Sequence, residues 1–173
     1  PNQVTVTFVY LDGRANTVVT GSVGSQLEEI SPTRDGYSFE GWYKDNQFTD
    51  KFTDFTFPVT SIHLYALWEP LDYTIEFVTG IEGVEVDPIT APYNSWVDLP
   101  VPVAEGFKFL GWYTDPETTV LFEEHWMPLG GITLYAKWTE SAEEFSIAYA
   151  LEQEPGTLVS VKGIVFAKVQ SPY

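Results

Sequence analysis

The chain has 173 residues, with 25 Asp and Glu against 8 Lys and Arg, and a formal net charge of −17. This negative field repels phosphates and anionic lipid headgroups, which argues against nucleic acid and basic-patch membrane binding. The chain has no cysteine, so thiol nucleophiles, disulfides and thiolate metal sites are excluded too.

The first seventy residues are predicted to be mostly strand. Apolar side chains at Val4, Val6 and Phe8 alternate with threonines, the period-2 pattern of a half-buried strand. Asp12-Gly13 predicts a hairpin turn, and residues 17–20 predict the returning strand.

The next segments are less regular. Residues 25–30 predict one helical turn, which Pro32 ends. Residues 38–43 predict a strand, and residues 52–57 fit either a short helical turn or an irregular segment. Residues 62–68 predict a closing strand, with Ile62, Leu64, Ala66 and Trp68 on one face.

The sequence then repeats itself. A shift of 70 residues places GYSFEGWYKD (36–45) over GFKFLGWYTD (106–115) and IHLYALW (62–68) over ITLYAKW (132–138), and 14 of the 33 positions from 36 to 68 are identical. We therefore predict one copy over residues 1–70 and a second over residues 71–138. In the second copy, residues 80–83 predict a turn and residues 84–86 the returning strand.

The aromatic motifs are interpreted as core. A domain of about 70 residues without disulfides buries only ~60% of its chain surface, so large rings must supply the burial. Each copy is expected to be a small, mainly β, α+β sheet domain. The predicted structural core consists of Phe39, Trp42, Tyr43, Leu64, Trp68, Phe109, Trp112, Tyr113, Leu134 and Trp138.

Residues 139–173 match neither copy. Ser141 and Glu144 fit a capping box, which predicts a helix through about Gln153, followed by a strand over residues 157–166. One helix and one strand cannot bury both their faces, so either the strand joins the sheet of the second copy or the chain stops inside a third domain. We favour the truncated third domain.

The GWY and LYAxW motifs resemble the Listeria–Bacteroides repeat, the internalin-type B repeat, over about four-fifths of the chain. The resemblance implies two tandem β-grasp-like domains from a secreted or surface-anchored bacterial protein. The resemblance also implies that such modules act as spacers, presenters or adhesion and interaction units, and not as catalysts. Residues 145–165 are similar to the opening of an OB-fold-like domain of secreted bacterial proteins.

The residues offer little for catalysis. His63 and His125 occupy non-equivalent positions in the two copies, and neither has a triad pattern around it. Adjacent carboxylates such as Glu123-Glu124 point apart on a strand or helix, so they do not converge on a glycosidic bond. We therefore expect no catalytic site, no cofactor and no metal ligands. A weak calcium site from Glu69, Asp72 and Glu140 is the alternative left open.

Two tryptophans stand apart from the shared core. The shift of 70 residues aligns Trp96 with Gln26 of the first copy and Trp126 with Thr56. The common fold therefore does not require the two tryptophans. Exposed rings stack on sugars, which makes the pair the candidate ligand platform, although filling a local gap in the core is the competing interpretation.

The sequence thus predicts a non-enzymatic spacer and interaction or adhesion module. Pro1 in place of Met is typical of a fragment, and no apolar stretch reaches the ~18 residues of a membrane helix. The expected location is extracellular, at the cell surface or secreted, and the expected state is monomeric. The expected partners are host or neighbouring surface proteins. A carbohydrate-binding module is the alternative function, and an enzyme comes third.

Overall fold

The computed structural model describes residues 2–141, and all regular elements in that part of the chain are β-strands. With only strands there, the described residues hold no helix long and apolar enough to cross a bilayer. The strands are β1 Gln3–Val9, β2 Thr17–Ser22, β3 Tyr37–Tyr43, β4 Ile62–Pro70, β5 Asp72–Val78, β6 Ile89–Pro92, β7 Phe107–Tyr113 and β8 Ile132–Glu140.

The first copy forms a four-stranded sheet in the order β2-β1-β4-β3. The outer strands β2 and β3 pair antiparallel with their neighbours. The central strands β1 and β4 are parallel, with Val6 opposite Ile62 and Val9 opposite Tyr65. The first and last strands of the copy therefore lie side by side in the middle of the sheet.

The core of the first copy follows the alternation of its central strands. Val6 and Phe8 on β1 and Leu64 on β4 are fully buried. The Trp42 ring packs edge-on against Phe8, with ring centroids 4.7 Å apart. Full burial of each of these side chains contributes roughly 1.5–3 kcal/mol, which is how a sheet this small holds together without disulfides.

The second copy repeats the arrangement in the order β6-β5-β8-β7. Ile75 on β5 and Leu134 on β8 are buried there, and two tandem four-stranded sheets confirm the mainly-β prediction. Among the described residues, one compact unit takes 2–76, 88–99 and 124–133 and the other takes the rest. These borders differ from the copy borders at 70 and 138, and the division into domains stays a prediction.

The glycine of each GWY motif sits at a β-bulge. The register shifts between Phe39 and Gly41 in β3, and between Phe109 and Gly111 in β7. Gly41 has φ 125° and Gly111 has φ 141°, a region that residues with a Cβ rarely adopt. This is the physical reason that both copies carry glycine before the buried tryptophan.

The helical turn predicted for residues 25–30 is wrong. Gln26 instead forms an isolated bridge with Thr56, and the Leu27 N–H donates to Phe55 O at 2.9 Å. The segment is held by a partner nearly thirty residues away, which local propensity cannot reveal. Residues 52–57, for which a helical turn was one of two options, are irregular. No helix within residues 2–141 supports the α part of the α+β prediction.

Two predictions about turns also differ from the structure. The strand predicted at residues 84–86 is absent, because the Val84 N–H donates to Ile81 O and closes a turn, and β6 begins only at Ile89. The connection between β1 and β2 spans residues 10–16, longer than a two-residue turn at Asp12-Gly13. An Arg14–Asp12 ion pair of 2.6 Å lies in this loop.

The third segment falls almost wholly outside the described residues. β8 continues to Glu140, so the first residues assigned to that segment extend the sheet. The Ser141 N–H donates to Gly106 O at 2.7 Å. The predicted helix through Gln153, the strand over 157–166 and the OB-like domain concern residues that the structure does not describe.

Candidate functional site

The tryptophans that both copies share are tied into the fold. Trp42 and Trp112 are buried, and their Nε1–H groups donate to Ile30 O and Pro100 O, each at 2.7 Å. An indole N–H in a core needs such a partner, and here it fixes the loop before the strand. These two rings therefore have a structural role.

The second shared pair and its neighbours behave in the same way. Trp68 and Trp138 are half-buried, and their Nε1–H groups donate to Tyr10 O at 2.6 Å and Thr79 O at 2.7 Å. Phe39, Tyr43, Phe109 and Tyr113 are half-buried, and Leu64 and Leu134 are fully buried.

The structure brings Trp96 and Trp126 together on the surface. They form an isolated antiparallel bridge, and their rings meet at 90° with centroids 5.4 Å apart. Trp96 is 56% exposed and Trp126 is 50% exposed, so neither ring fills the core. Their neighbours Val97 and Met127 turn inward and are buried. The alternation along these two short segments therefore presents both indoles outward.

Two further side chains orient the Trp96 ring. The His125 ring stacks on it at 4.7 Å with an angle of 16° between the planes. The Trp96 Nε1–H donates to Asp98 Oδ1 at 2.9 Å. We call Trp96, His125, Trp126 and Asp98 the aromatic platform. Sequence reasoning missed the roles of His125 and Asp98, because neither residue carries a signal that connects it with Trp96.

The first copy has the same backbone at this place without the platform. Gln26 and Thr56 occupy the bridge, and the Gln26 Nε2 amide donates to Phe55 O at 3.2 Å. A polar side chain thus satisfies the same framework, which means that the fold does not demand two indoles here.

The other residues considered for chemistry do not converge. His63 is exposed on β4. Glu123 and Glu124 are exposed, and within residues 2–141 no group of three or more His, Asp or Glu is placed to hold a metal ion. Glu69, Asp72 and Glu140 form no such group.

One carboxylate has a structural task that the sequence did not suggest. Asp115 accepts hydrogen bonds from the Val120 N–H at 2.8 Å and from the Thr119 N–H at 3.0 Å. The Val120 N–H is the main cause that holds the pKa of Asp115 below its ordinary value. Asp45 closes the equivalent loop of the first copy by accepting from the Asp50 N–H at 2.8 Å.

Known proteins resemble this chain over most of its length. The model of the Listeria-Bacteroides repeat domain matches residues 5–67 and again residues 73–137. Internalin H of Listeria monocytogenes is 34% identical over 137 residues, which are 76% of this chain and 24% of that protein. A "Putative membrane protein" of Evansella cellulosilytica is 34% identical over 154 residues, 87% of this chain and 23% of its own length.

A "Putative Gly-rich membrane protein" of the same organism is 34% identical over 151 residues, 85% of this chain and 17% of its own length. The chain thus spans less than a quarter of each of these relatives. The two family matches fall on the two copies and cover most of each sheet. The chain therefore belongs to the Listeria-Bacteroides repeat family, with one repeat in each copy.

Proposed function

We propose that the chain is a non-enzymatic repeat region of a bacterial cell-surface or secreted protein, where it acts as a spacer and as a protein-interaction or adhesion module. The observation that carries the proposal is that one four-stranded unit occurs twice, with its shared tryptophans bonded into the fold. A duplicated unit of this kind adds length, while its outer strands and loops remain available to partners. The parallel central strands β1 and β4 of the first copy, and the strand order that both copies share, support the β-grasp-like description.

The link between the copies supports a spacer. β4 ends at Pro70 and β5 begins at Asp72, so Leu71 alone separates two strands. Such a connection offers few free backbone torsions, and proline removes one of them. The names of the relatives, an internalin and two membrane proteins, favour a location at the bacterial surface.

A distance measurement between the copies tests the spacer. Because the chain lacks cysteine, the pair Asn46→Cys and Glu117→Cys places one spin label on an exposed residue of each copy. We expect double electron–electron resonance to give one narrow distance distribution. The pair Asn46→Cys and Val59→Cys, within the first copy, provides the reference width. A distribution several times broader than this reference would contradict the spacer role.

The aromatic platform favours a second candidate function, carbohydrate binding. Two exposed indoles at right angles offer an apolar face and an apolar wall to a sugar ring, and Asp98 adds a hydrogen-bond acceptor beside them. A glycan array of the wild type tests this function. The matched variant is Trp96→Gln with Trp126→Thr, because the first copy folds with these residues at the same bridge.

A glycan signal that falls tenfold or more in this variant supports the sugar site, provided that the thermal unfolding curve is unchanged. A wild type that binds no glycan, or a variant that binds as well as the wild type, eliminates it and leaves the spacer role untouched.

A further inference from the structure

Four exposed positions differ between the copies in a consistent direction. In the second copy they carry Val101, Leu110, Val120 and Leu121, which are exposed by 73%, 45%, 58% and 45%. Seventy residues earlier the first copy has, in the same order, Ser31, Glu40, Asp50 and Lys51. Every one of these polar residues has been replaced by an aliphatic one. We call the four aliphatic residues the β7 apolar surface.

Three of these positions lie close together in space, and Val120 directly precedes one of them, Leu121, in the chain. In the first copy, Ser31, Glu40 and Lys51 line one open depression beside Trp42. The Lys51 Nζ atom donates to Glu40 O at 2.6 Å across it. At the same place in the second copy, a Cβ atom on Gly111, next to Leu110, would lie 2.9 Å from Leu121 Cδ1.

The backbone around the depression is the same in both copies. The Phe122 N–H donates to Trp112 O at 2.8 Å, as the Phe52 N–H does to Trp42 O at 2.8 Å. The indole bonds of Trp42 and Trp112 to the preceding loop are also equal in length, at 2.7 Å. The second copy therefore presents its aliphatic residues where the first presents polar ones.

Folding gives no reason for this surface, because the first copy forms the same sheet with polar residues there. Aliphatic side chains left in water gain nothing by burial, and a contiguous exposed group of them is typical of a binding surface. The second copy is also the more acidic one, with a net charge of −9 against −5. A need for solubility would explain the additional carboxylates of the second copy, but not its exposed aliphatic residues.

The charges nearby indicate the kind of partner. Residues 100–123 carry Glu105, Asp115, Glu117 and Glu123 against the single cation Lys108. A second copy of this chain would bring the same excess of carboxylates and be repelled, whereas a cationic segment would be attracted. In addition, β7 is an outer strand of its sheet. Residues 120–122 pair with its end at residues 112–114, which leaves the edge beside residues 108–110 as the place where an extended segment can add by backbone hydrogen bonds.

We propose that the β7 apolar surface binds an extended segment of a partner protein in which apolar residues alternate with Lys or Arg. Side chains on an extended segment point alternately to opposite sides, so the apolar ones contact the aliphatic residues while the cations face the surrounding carboxylates. This rests on the interaction role proposed above and gives it a surface and a class of partner. The spacer role holds with or without it.

Three synthetic octapeptides test the proposal on the full chain: acetyl-(Val-Lys)4-amide, acetyl-(Val-Glu)4-amide and acetyl-(Ser-Lys)4-amide. Isothermal titration calorimetry measures their affinity and stoichiometry. We expect one molecule of the Val-Lys peptide per chain, and binding at least tenfold weaker for the other two. Equal binding of the Ser-Lys peptide would overturn the proposal, because charge alone would then explain the affinity.

The matched variant is Leu110→Glu with Leu121→Lys, which leaves the net charge at −17 and installs the residues of the first copy. The introduced lysine can repeat the bond that Lys51 makes, so the fold should persist. We expect the affinity for the Val-Lys peptide to fall at least tenfold. An unchanged affinity in this folded variant would contradict the proposal.

The converse variant, Glu40→Leu with Lys51→Leu, has the same net charge and gives the first copy two of the aliphatic residues. It should raise the stoichiometry from one peptide to two, and this result decides the matter if the first variant fails to fold. A stoichiometry that stays at one would count against the proposal. Sedimentation velocity of the wild type adds a check. If the wild type self-associates and the variant Leu110→Glu with Leu121→Lys does not, a second copy of the chain occupies the surface and the proposal is overturned.

Discussion

The ring of Phe57 occupies the space in which a side chain on Gly21 would lie, so the two positions are coupled in the stability of the first copy. A Cβ atom on Gly21 would lie 2.3 Å from Phe57 Cε2 and 2.5 Å from its Cζ, where ordinary carbon contacts are about 3.5–4.0 Å. Phe57 is 6% exposed, so its ring must shift by roughly 1 Å inside the core. Overpacking of this kind costs about 1–3 kcal/mol. The lower backbone entropy of alanine offsets roughly 0.5–1 kcal/mol of that.

The second copy shows how the conflict can be avoided. Ala91 faces Tyr73 there as Gly21 faces Val4, and Met127 stands where the first copy has Phe57. Methionine is flexible and adapts to a neighbouring methyl group. We therefore expect Gly21→Ala to lower the free energy of unfolding of the first copy by about 1–2 kcal/mol, and the same change to be nearly neutral when Phe57→Met is already present.

Native-state hydrogen exchange followed by mass spectrometry is the suitable assay, because it measures each copy separately. Peptides covering residues 3–22 report on the first copy, and those covering residues 72–92 are the internal control. The coupling between the two substitutions should be about 1–2 kcal/mol, from a four-member cycle with both single variants. If the two losses simply add, the ring is not what restricts position 21 to glycine.

Three further predictions follow from features of the fold. Asp115→Asn should lower the urea midpoint at pH 7, and the difference in midpoint between variant and wild type should close in acid. The folded state holds the pKa of Asp115 below its ordinary value, so the stability that this carboxylate contributes is present above the ordinary pKa and is lost as the pH falls through the lowered one. An equal difference at every pH would refute this. Gly111→Ala should cost about 1–3 kcal/mol in urea unfolding, because φ is 141° there; a neutral effect would show that the bulge tolerates a Cβ. Trp42→Phe should cost about 1–3 kcal/mol in thermal unfolding by leaving the Ile30 carbonyl unpaired, whereas Trp96→Gln should change stability by less than about 0.5 kcal/mol. Equal losses would mean that Trp96 is a core residue after all.

The parts of the fold that could be predicted are those that produce a local pattern of apolar residues or a repeated motif in the sequence. The alternation of Val4, Val6 and Phe8 and the repeated GWY and LYAxW motifs predicted the long strands and the repeat. They did so because period-2 burial and self-similarity are visible in the sequence itself. The equivalence of Trp96 with Gln26, and of Trp126 with Thr56, likewise marked a pair of residues that the shared fold does not need.

The parts that could not be predicted depend on distant partners. Gln26 and Thr56 belong to segments that looked weakly helical or irregular, and each is shaped by the other across thirty residues. The start of β6 at Ile89 depends on the turn that Val84 closes with Ile81, not on the β-branched residues before it. The β7 apolar surface could not be predicted, because Val101, Leu110 and Leu121 are far apart in the sequence and only the fold brings their counterparts Ser31, Glu40 and Lys51 to one depression.

The parallel pair β1 and β4 at the centre of the first sheet has a mechanical consequence. Because β1 opens a copy and β4 closes it, tension applied at the two ends of the copy pulls these neighbouring strands in opposite directions along their length. The hydrogen bonds between them are then loaded all at once in shear, instead of being opened one after another as in a zipper. A chain built in this way resists being stretched most strongly along the very direction in which neighbours in a longer polypeptide would pull it.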